Sequence, residues 1–172
     1  MKKLELRLIA ELMKNSRRSD RDLAKVLKVS QPTITRARTR LEKAGVIGEY
    51  TMIPKFASVG FEIMAFTLIK WSRSLASKEF DQVIAAGREL DKKQGLSVLL
   101  VVRGLGADYD MVIVSLHRSY SEYNDFLNQL RNLPFSNRFE MDNFLVSLGD
   151  TQQYRLLTLS ALADYLKQQA QT

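Results

Sequence analysis

A glutamine, three threonines and four cations lie close together in VSQPTITRARTRLEKAG, residues 29–45. Hydroxyl, amide and cationic side chains are the groups that bind phosphates and the polar edges of base pairs. The segment also begins and ends like a helix. Ser30 is a good N-cap, Pro32 falls in the first turn, and Gly45 suits the positive φ of a helix end. The sequence therefore predicts a helix over about residues 31–44.

This predicted helix has two unlike faces. At about 100° per residue, Ser30, Ile34, Ala37 and Leu41 form a narrow inward stripe. The opposite face carries cations and no acid. Its members are Pro32, Arg36, Thr39, Arg40 and Lys43. A lone arginine on a helix is usually only solvated, but a solvated face usually mixes both charge signs, so the joint pattern favours a polyanionic partner.

The candidate nucleic-acid contacts fall into two sets. A recognition helix presents mainly its N-terminal half to the bases, so Gln31, Thr35 and Arg36 are the predicted base contacts. Along the same helix, Arg40 and Lys43 are expected on phosphates, with Thr33 and Thr39 also near the duplex. Around the start of the preceding helix, a further set is expected to hold the DNA backbone: Arg17, Arg18, Arg21 and Lys25.

Two further helices are predicted to position this segment. Leu4, Leu8, Ile9, Leu12 and Met13 follow the spacing of an amphipathic helix that ends near Asn15. Ser19 and Asp22 resemble a capping box that opens a short second helix, whose buried stripe is Leu23, Ala24, Val26 and Leu27. Two short helices joined by a turn, after a supporting helix, describe a helix-turn-helix.

The charge distribution singles out the same region. The formal net charge is +7. Residues 1–50 carry 13 Lys and Arg against 6 Asp and Glu, whereas residues 51–172 carry 13 against 13. Solubility alone gives no reason for such asymmetry, which indicates a nucleic-acid or anionic-membrane partner for the first 50 residues.

The rest of the chain alternates strands and helices. After a short β-rich stretch, VIGEYTMIP, which predicts a small strand pair or wing, the order of predicted elements is βαββαβ. Two such β-α-β units interleave into a four-stranded antiparallel sheet with both helices on one face, a ferredoxin-like α+β arrangement. We therefore predict a DNA-binding domain over 1–54, a linker over 55–60, a ferredoxin-like domain over 61–149 and a helical extension over 150–172. Within the extension, a last helix is predicted over 151–169, with an apolar stripe of Leu156, Leu159, Ala163 and Leu166.

The sequence lacks the residues or segments that several classes of protein require. The chain has no Cys and one His, His117, so a disulfide framework, a typical zinc site and Cys- or His-dependent catalysis are not expected. No apolar run reaches the roughly 18 residues of a membrane span, and the first residues alternate charge with leucine, unlike a secretory signal. We expect a cytoplasmic protein that is not an enzyme and needs no cofactor or metal.

Residues 4–54 resemble the DNA-binding domain of the Lrp/AsnC family of transcription regulators. The matching motifs are DLAKVLKVS in helix two, Ser-x-x-Thr-Ile at the start of helix three, and RLEKAGVIGEYT at its end. Family members usually have Arg and then an aliphatic residue where this chain has Ala37 and Arg38. Either Arg38 extends its guanidinium outward along the helix edge, or Ala37 provides the packing alone.

The resemblance extends, less specifically, to the βαββαβ order up to about residue 148. It implies a sensing domain that pairs sheet to sheet into homodimers, with dimers assembling into octamers and amino acids binding between dimers. The matching turn here is Gly106 to Asp110, where Asp108 and Asp110 could bind an ammonium group and glycine N–H groups a carboxylate. The turn has one more residue than the family pattern, and both aspartates are also typical of a plain hairpin.

Two hypotheses about function follow from these features. The first is a sequence-specific transcription regulator that binds double-stranded DNA as a dimer or higher oligomer and responds to an amino acid or related molecule. The second is an architectural protein that coats DNA with little base preference, distinguished by a low ratio of specific to non-specific affinity. An enzyme on a ferredoxin-like scaffold is disfavoured, because the sequence has no nucleophile–base pair, phosphate loop or metal cluster.

Overall fold

The computed structural model describes residues 2–72, 75–94, 97–134, 136–150 and 157–170. The chain divides into two compact units, one of residues 1–53 together with 153–172 and the other of residues 54–152. Within the described residues, no helix combines the length and the apolar character that crossing a bilayer requires.

The first unit contains the predicted helix-turn-helix. Helix α1 spans Lys3–Lys14, α2 spans Asp20–Leu27 and α3 spans Gln31–Lys43. The Ser19 hydroxyl accepts the Asp22 N–H and caps α2, as predicted, and α3 is followed by Gly45 at φ +66°. The inner faces of the three helices form one apolar cluster, which consists of Leu8, Leu12, Leu23, Ala24, Leu27, Ile34, Ala37 and Leu41. Burial of these side chains fixes the angle at which α3 is presented.

The small strand pair predicted from VIGEYTMIP is not formed, and residues 46–55 are irregular. A strand needs a partner for its backbone groups, and this stretch has none in the described structure. Side chains hold it instead. The Tyr50 hydroxyl donates to Glu42 over 2.7 Å, and the Ser16 hydroxyl donates to the Thr51 carbonyl over 3.3 Å.

The second unit has the predicted ferredoxin-like fold. Strands β1 (Ile63–Trp71), β2 (Val98–Gly106), β3 (Tyr109–His117) and β4 (Phe139–Ser147) alternate with helices α4 (Ser77–Gln94) and α5 (Tyr120–Arg131) in the order βαββαβ. The sheet order is β2-β3-β1-β4, and every neighbouring pair is antiparallel. The predicted linker region contains one 3₁₀ turn, Phe56–Val59, followed by Gly60 at φ +92°.

One face of this sheet is covered by helices. Its core joins Ala65 and Ile69 of β1, Met111 and Ile113 of β3, and the apolar stripe of α5, which consists of Tyr123, Phe126, Leu127 and Leu130. On the same face, the Arg103 guanidinium of β2 lies 4.4 Å from the ring centroid of Phe80 in α4. His117 is buried beneath α5, where its Nε2 lies 2.8 Å from the Ser115 hydroxyl.

The opposite face of the sheet is apolar and partly open. The strand register places Phe66 of β1 between Val114 of β3 and Phe144 of β4, and it pairs Leu100 of β2 with Val114. Phe144 is 64% exposed and Leu100 is 47% exposed. Exposed apolar patches of this kind on a folded unit commonly mark interaction surfaces.

The C-terminal extension forms a helix, α6, over Ser160–Gln169, which is shorter than the predicted 151–169. Residues 151–156, including Leu156 of the predicted apolar stripe, lie outside the described residues. Ala163 and Ala170 are buried, but Leu159 of the same stripe is 42% exposed. Helix α6 packs against α1 and belongs to the first unit.

Candidate nucleic-acid interface

Helix α3 has the two faces expected from its sequence. Ile34, Ala37 and Leu41 are buried in the apolar cluster of the first unit. The opposite face is exposed at Gln31, Thr35, Arg36, Thr39, Arg40 and Lys43. Five of these side chains, Thr35, Arg36, Thr39, Arg40 and Lys43, line a shallow groove together with Ala44. The cationic face therefore lies at the surface of its unit, where a duplex could reach it.

Two cations of this face stand without a salt bridge in the described part of the chain: Arg36 and Lys43. They are seven residues apart, which is about 10 Å along the helix axis and nearly two full turns. Both side chains therefore project from the same side of α3. Thr39 lies between them on the same face. Side chains with no internal partner can bind an external anion without breaking an existing contact.

Arg40 is held by an acid that the sequence did not identify. Its Nε and Nη2 lie 2.7 Å and 2.5 Å from Glu5 Oε1, and the Lys2 backbone N–H donates to the other oxygen of Glu5. The Lys2 hydrogen bond and the Arg40 guanidinium lower the pKa of Glu5. The Arg40 side chain is still 53% exposed, so its remaining N–H groups are accessible from solvent.

Thr35 and Arg38 both contact Asp20, at the start of α2. The Thr35 hydroxyl donates to Asp20 Oδ2 over 2.7 Å, and Arg38 Nη2 lies 2.8 Å from Oδ1. Arg38 also donates to the Arg18 carbonyl over 3.2 Å and lies over the Tyr50 ring. It therefore extends outward, as predicted, but into contacts between elements of its own unit. Thr33, another predicted DNA contact, shares a 2.8 Å hydrogen bond with Ser30.

The second set of cations surrounds the start of α2. Arg17, Arg21 and Lys25 are exposed, and none of them forms a salt bridge within the described residues. Arg18 differs, because its Nη1 donates to Glu11 Oε2 on α1. Within the described residues, three of the four side chains predicted to hold the DNA backbone thus have no salt bridge, whereas Arg18 is paired with a buried acid.

The predicted effector turn is a tight hairpin. Gly106 pairs with Tyr109, and the two residues between them, Ala107 and Asp108, have φ values of +50° and +66°. Positive φ at both central positions is the geometry of a type I′ turn, which matches the twist of the flanking strands. Ala107 and Asp108 therefore form a two-residue hairpin loop between β2 and β3.

The two aspartates of this hairpin have different surroundings. Asp110 accepts the Trp71 backbone N–H over 2.8 Å and so fixes the end of β1. Asp108 has a side chain that is 85% exposed, and it lies 3.3 Å from Lys70 Nζ. The structure therefore gives Asp110 an internal contact and leaves Asp108, with Lys70, as an accessible pair of opposite charges.

The first 47 residues match a family model described as winged helix-turn-helix DNA-binding. An uncharacterized HTH-type transcriptional regulator of Pyrococcus abyssi is 28% identical over 124 residues, which cover 72% of this chain and 78% of the relative. The HTH-type transcriptional regulator FL11 of the same organism is 25% identical over 134 residues, covering 76% and 80%. Both relatives are named regulators, in agreement with the prediction that the chain is not an enzyme.

Solved structures share the whole fold. The crystal structure of PH0061 superposes with a TM-score of 0.70 at 23% identity, covering 91% of this chain and 98% of that chain. The AsnC protein of E. coli superposes with a TM-score of 0.68 at 19% identity, covering 91% and 97%. NMB0573 of Neisseria meningitidis, solved as a complex with L-Met, superposes with a TM-score of 0.69 at 19% identity, covering 94% and 99%.

These likenesses agree with the order of elements and with the exposed cationic helix. The DNA-binding match coincides with the first three helices, and the structural match extends through the sheet of the second unit. Together they show a winged helix-turn-helix DNA-binding domain over the first 47 residues and the fold of the AsnC protein across most of the chain.

Proposed function

We propose that the protein is a sequence-specific regulator that binds a pseudo-palindromic DNA site as a homodimer, with α3 of each copy in the major groove. The observation that carries this proposal is the exposed face of α3, on which Arg36 and Lys43 have no salt bridge within the described structure. Arg36 is in the first half of the helix, the part that contacts base edges in a recognition helix. Lys43 is at the end of the helix, where side chains contact phosphates.

The open apolar face of the sheet supports pairing of two copies. Phe66, Leu100, Val114 and Phe144 lie on this face, opposite the helices, and water contacts part of their surface. Burying them against the same face of a second copy would remove apolar area from water, which stabilises by about 25 cal/mol per Å². An isologous contact of this kind has two-fold symmetry, the symmetry of a pseudo-palindrome. Assembly of such dimers into an octamer is a further expectation of the family resemblance.

We also propose that Asp108 and Lys70 form the docking point for a free amino acid. The α-ammonium group would pair with Asp108 and the α-carboxylate with Lys70, so that the ligand replaces an exposed ion pair of low intrinsic value. Support comes from a fold relative, NMB0573, that was solved with L-Met. A ligand that changes the spacing of two α3 helices would change DNA affinity, because the duplex fixes that spacing.

The test is selection of bound fragments from random duplex DNA, with and without a mixture of L-amino acids. A regulator should enrich a two-fold symmetric sequence with half-sites about one helical turn, roughly 34 Å, apart. Enrichment should change when the ligand mixture is added, and Asp108→Asn should remove that change. Recovery of no preferred sequence would instead support an architectural, DNA-coating protein that acts in the cytoplasm without a dedicated operator.

A further inference from the structure

The C-terminal helix α6 makes charged contacts with α1, the supporting helix of the DNA-binding unit. Lys14 of α1 pairs with Asp164, and Glu11 of α1 pairs with Lys167. Ala163, next to Asp164 on α6, is fully buried. The terminal helix is thus anchored on the helix-turn-helix by two ion pairs of opposite polarity, which fix both its position and its direction along α1.

Glu11 takes part in a second ion pair as well. Its residue is 3% exposed, Oε1 pairs with Lys167 Nζ, and Oε2 pairs with Arg18 Nη1. A buried carboxylate is costly when it is left without a cation, so a single partner would be locked in place. Because Glu11 has two partners on two different oxygens, either one can leave while the other still compensates the charge. Although burial opposes ionisation, Lys167 and Arg18 lower the pKa of Glu11.

Of the two cations that pair with Glu11, Arg18 is the one placed to bind DNA instead. It follows Arg17 and precedes the N-cap of α2, in the set of cations that faces the proposed DNA backbone. Its side chain is 32% exposed, and its carbonyl accepts a hydrogen bond from Arg38. The backbone of Arg18 is therefore fixed while the guanidinium retains free N–H donors that a phosphate oxygen could accept.

We propose that Lys167 is a positioning residue for DNA binding: by holding Glu11, it allows Arg18 to turn from that carboxylate to a DNA phosphate. This inference rests on the proposed function. Without the Lys167 side chain, the Glu11 charge would hold Arg18 inside the protein, because departure of Arg18 would leave a buried carboxylate unpaired. The terminal helix thereby sets the number of cations that the helix-turn-helix can present, without itself contacting the duplex.

A double-mutant cycle measured on the full-length protein with one fixed duplex tests this role. Lys167→Gln should lower affinity several-fold and flatten the dependence of log K on log salt by about 0.9, the loss of one phosphate contact. Arg18→Gln should do the same, and the double variant should bind no more weakly than Arg18→Gln alone. Equal losses from Lys167→Gln in both backgrounds would overturn the proposal, since they would show an effect that does not pass through Arg18.

Two further variants separate this mechanism from simple undocking of α6. Lys14→Gln removes the other α1–α6 ion pair and keeps both salt bridges of Glu11, so the salt dependence should be unchanged. Adding Glu11→Gln to Lys167→Gln should restore the wild-type salt dependence, because no charge then retains Arg18. A flattened dependence in Lys14→Gln, or no recovery in Glu11→Gln/Lys167→Gln protein that circular dichroism shows to be folded, would contradict the proposal. Absence of DNA binding by the wild type would overturn the proposed function itself, whereas binding with no effect of Lys167→Gln would overturn only the inference drawn here.

Discussion

The hydroxyl of Thr35 donates a 2.7 Å hydrogen bond to Asp20, so the third helix is fastened to the start of the second through a residue of its outer face. The other oxygen of the same carboxylate pairs with Arg38. Asp20 therefore ties the start of α2 to α3 at two points, and its loss would leave a largely buried guanidinium without its acid.

We predict that Asp20→Ala lowers the free energy of unfolding by about 1–3 kcal/mol, the usual result of leaving a buried polar group unsatisfied. Denaturant unfolding followed by circular dichroism measures this change. Asp22→Ala is the matched control, because Asp22 is an exposed acid on the same helix whose side chain hydrogen-bonds to the capping Ser19 and not to α3 in the described structure. Asp20 would have no special role if both variants lost the same stability.

Arg36→Ala should weaken binding to a selected operator by about 1–3 kcal/mol, because Arg36 is an exposed cation in the base-reading half of α3. Binding to a scrambled duplex of the same length should change much less. Fluorescence anisotropy titrations with both duplexes make the comparison. An equal loss on the two sequences would mean that Arg36 contacts only the backbone.

Lys43→Ala should behave differently, since Lys43 lies at the C-terminal end of α3, where phosphates are the expected partners. All duplexes should lose affinity alike, and the slope of log K against log salt should fall in magnitude by about 0.9. Titrations over a series of salt concentrations give this slope. Were the slope to stay at the wild-type value, Lys43 would not be a phosphate contact.

Phe144→Glu should convert the proposed dimer to a monomer, because it places a charge on the open apolar face of the sheet, beside Phe66. Tyr120→Glu is the matched control, as Tyr120 is 66% exposed but lies on α5, away from that face. Sedimentation velocity distinguishes the two species. If both variants sediment like the wild type, the sheet face is not the pairing surface.

His117 should make the stability of the protein depend on pH. Burial beneath α5 lowers its pKa from the ordinary 6.5, and Glu122 only partly opposes this effect. The unfolded chain then binds the proton more readily than the folded protein does. The stability that the neutral, buried His117 contributes is therefore complete above about pH 6.5 and is lost as pH falls through the lower, folded pKa. The stability difference between wild type and His117→Gln should therefore decrease between pH 7 and pH 5 in thermal unfolding experiments. A constant difference would show that His117 does not titrate in this interval.

Sequence periodicity was sufficient to predict the helix-turn-helix and the ferredoxin-like order. Ile34, Ala37 and Leu41 repeat at helical spacing, and each strand of the second unit is a short β-rich run bounded by turns. Both signals are local, and both elements form where they were expected. The pattern in VIGEYTMIP was local as well, but a strand pair also needs a partner, and that requirement cannot be read from a single segment.

The pairing of cations with acids could not be predicted in the same way. Glu5 and Arg40 are 35 residues apart, and Glu11 and Lys167 lie near opposite ends of the chain. Charged side chains have no periodic signature of their own, and their partners follow from tertiary packing. A helical wheel therefore identifies Arg36 and Arg40 as neighbours on one face, yet only the three-dimensional arrangement shows that Arg40 has an internal acid. For the same reason, the sequence did not distinguish Asp108 from Asp110, whereas in the structure Asp110 accepts a backbone hydrogen bond from β1.

β2 is an edge strand of the sheet, and this position affects the tendency of the protein to aggregate. Its outer backbone groups have no neighbouring strand in the described structure, and residues 99–102 are aliphatic and exposed. Such a border can recruit strands from other molecules and nucleate insoluble aggregates. Leu100 and Val102 also lie on the proposed pairing face. Dilution or mutation that separates the proposed dimer would expose their side chains beside this border, and poor yield would be an early sign of that separation.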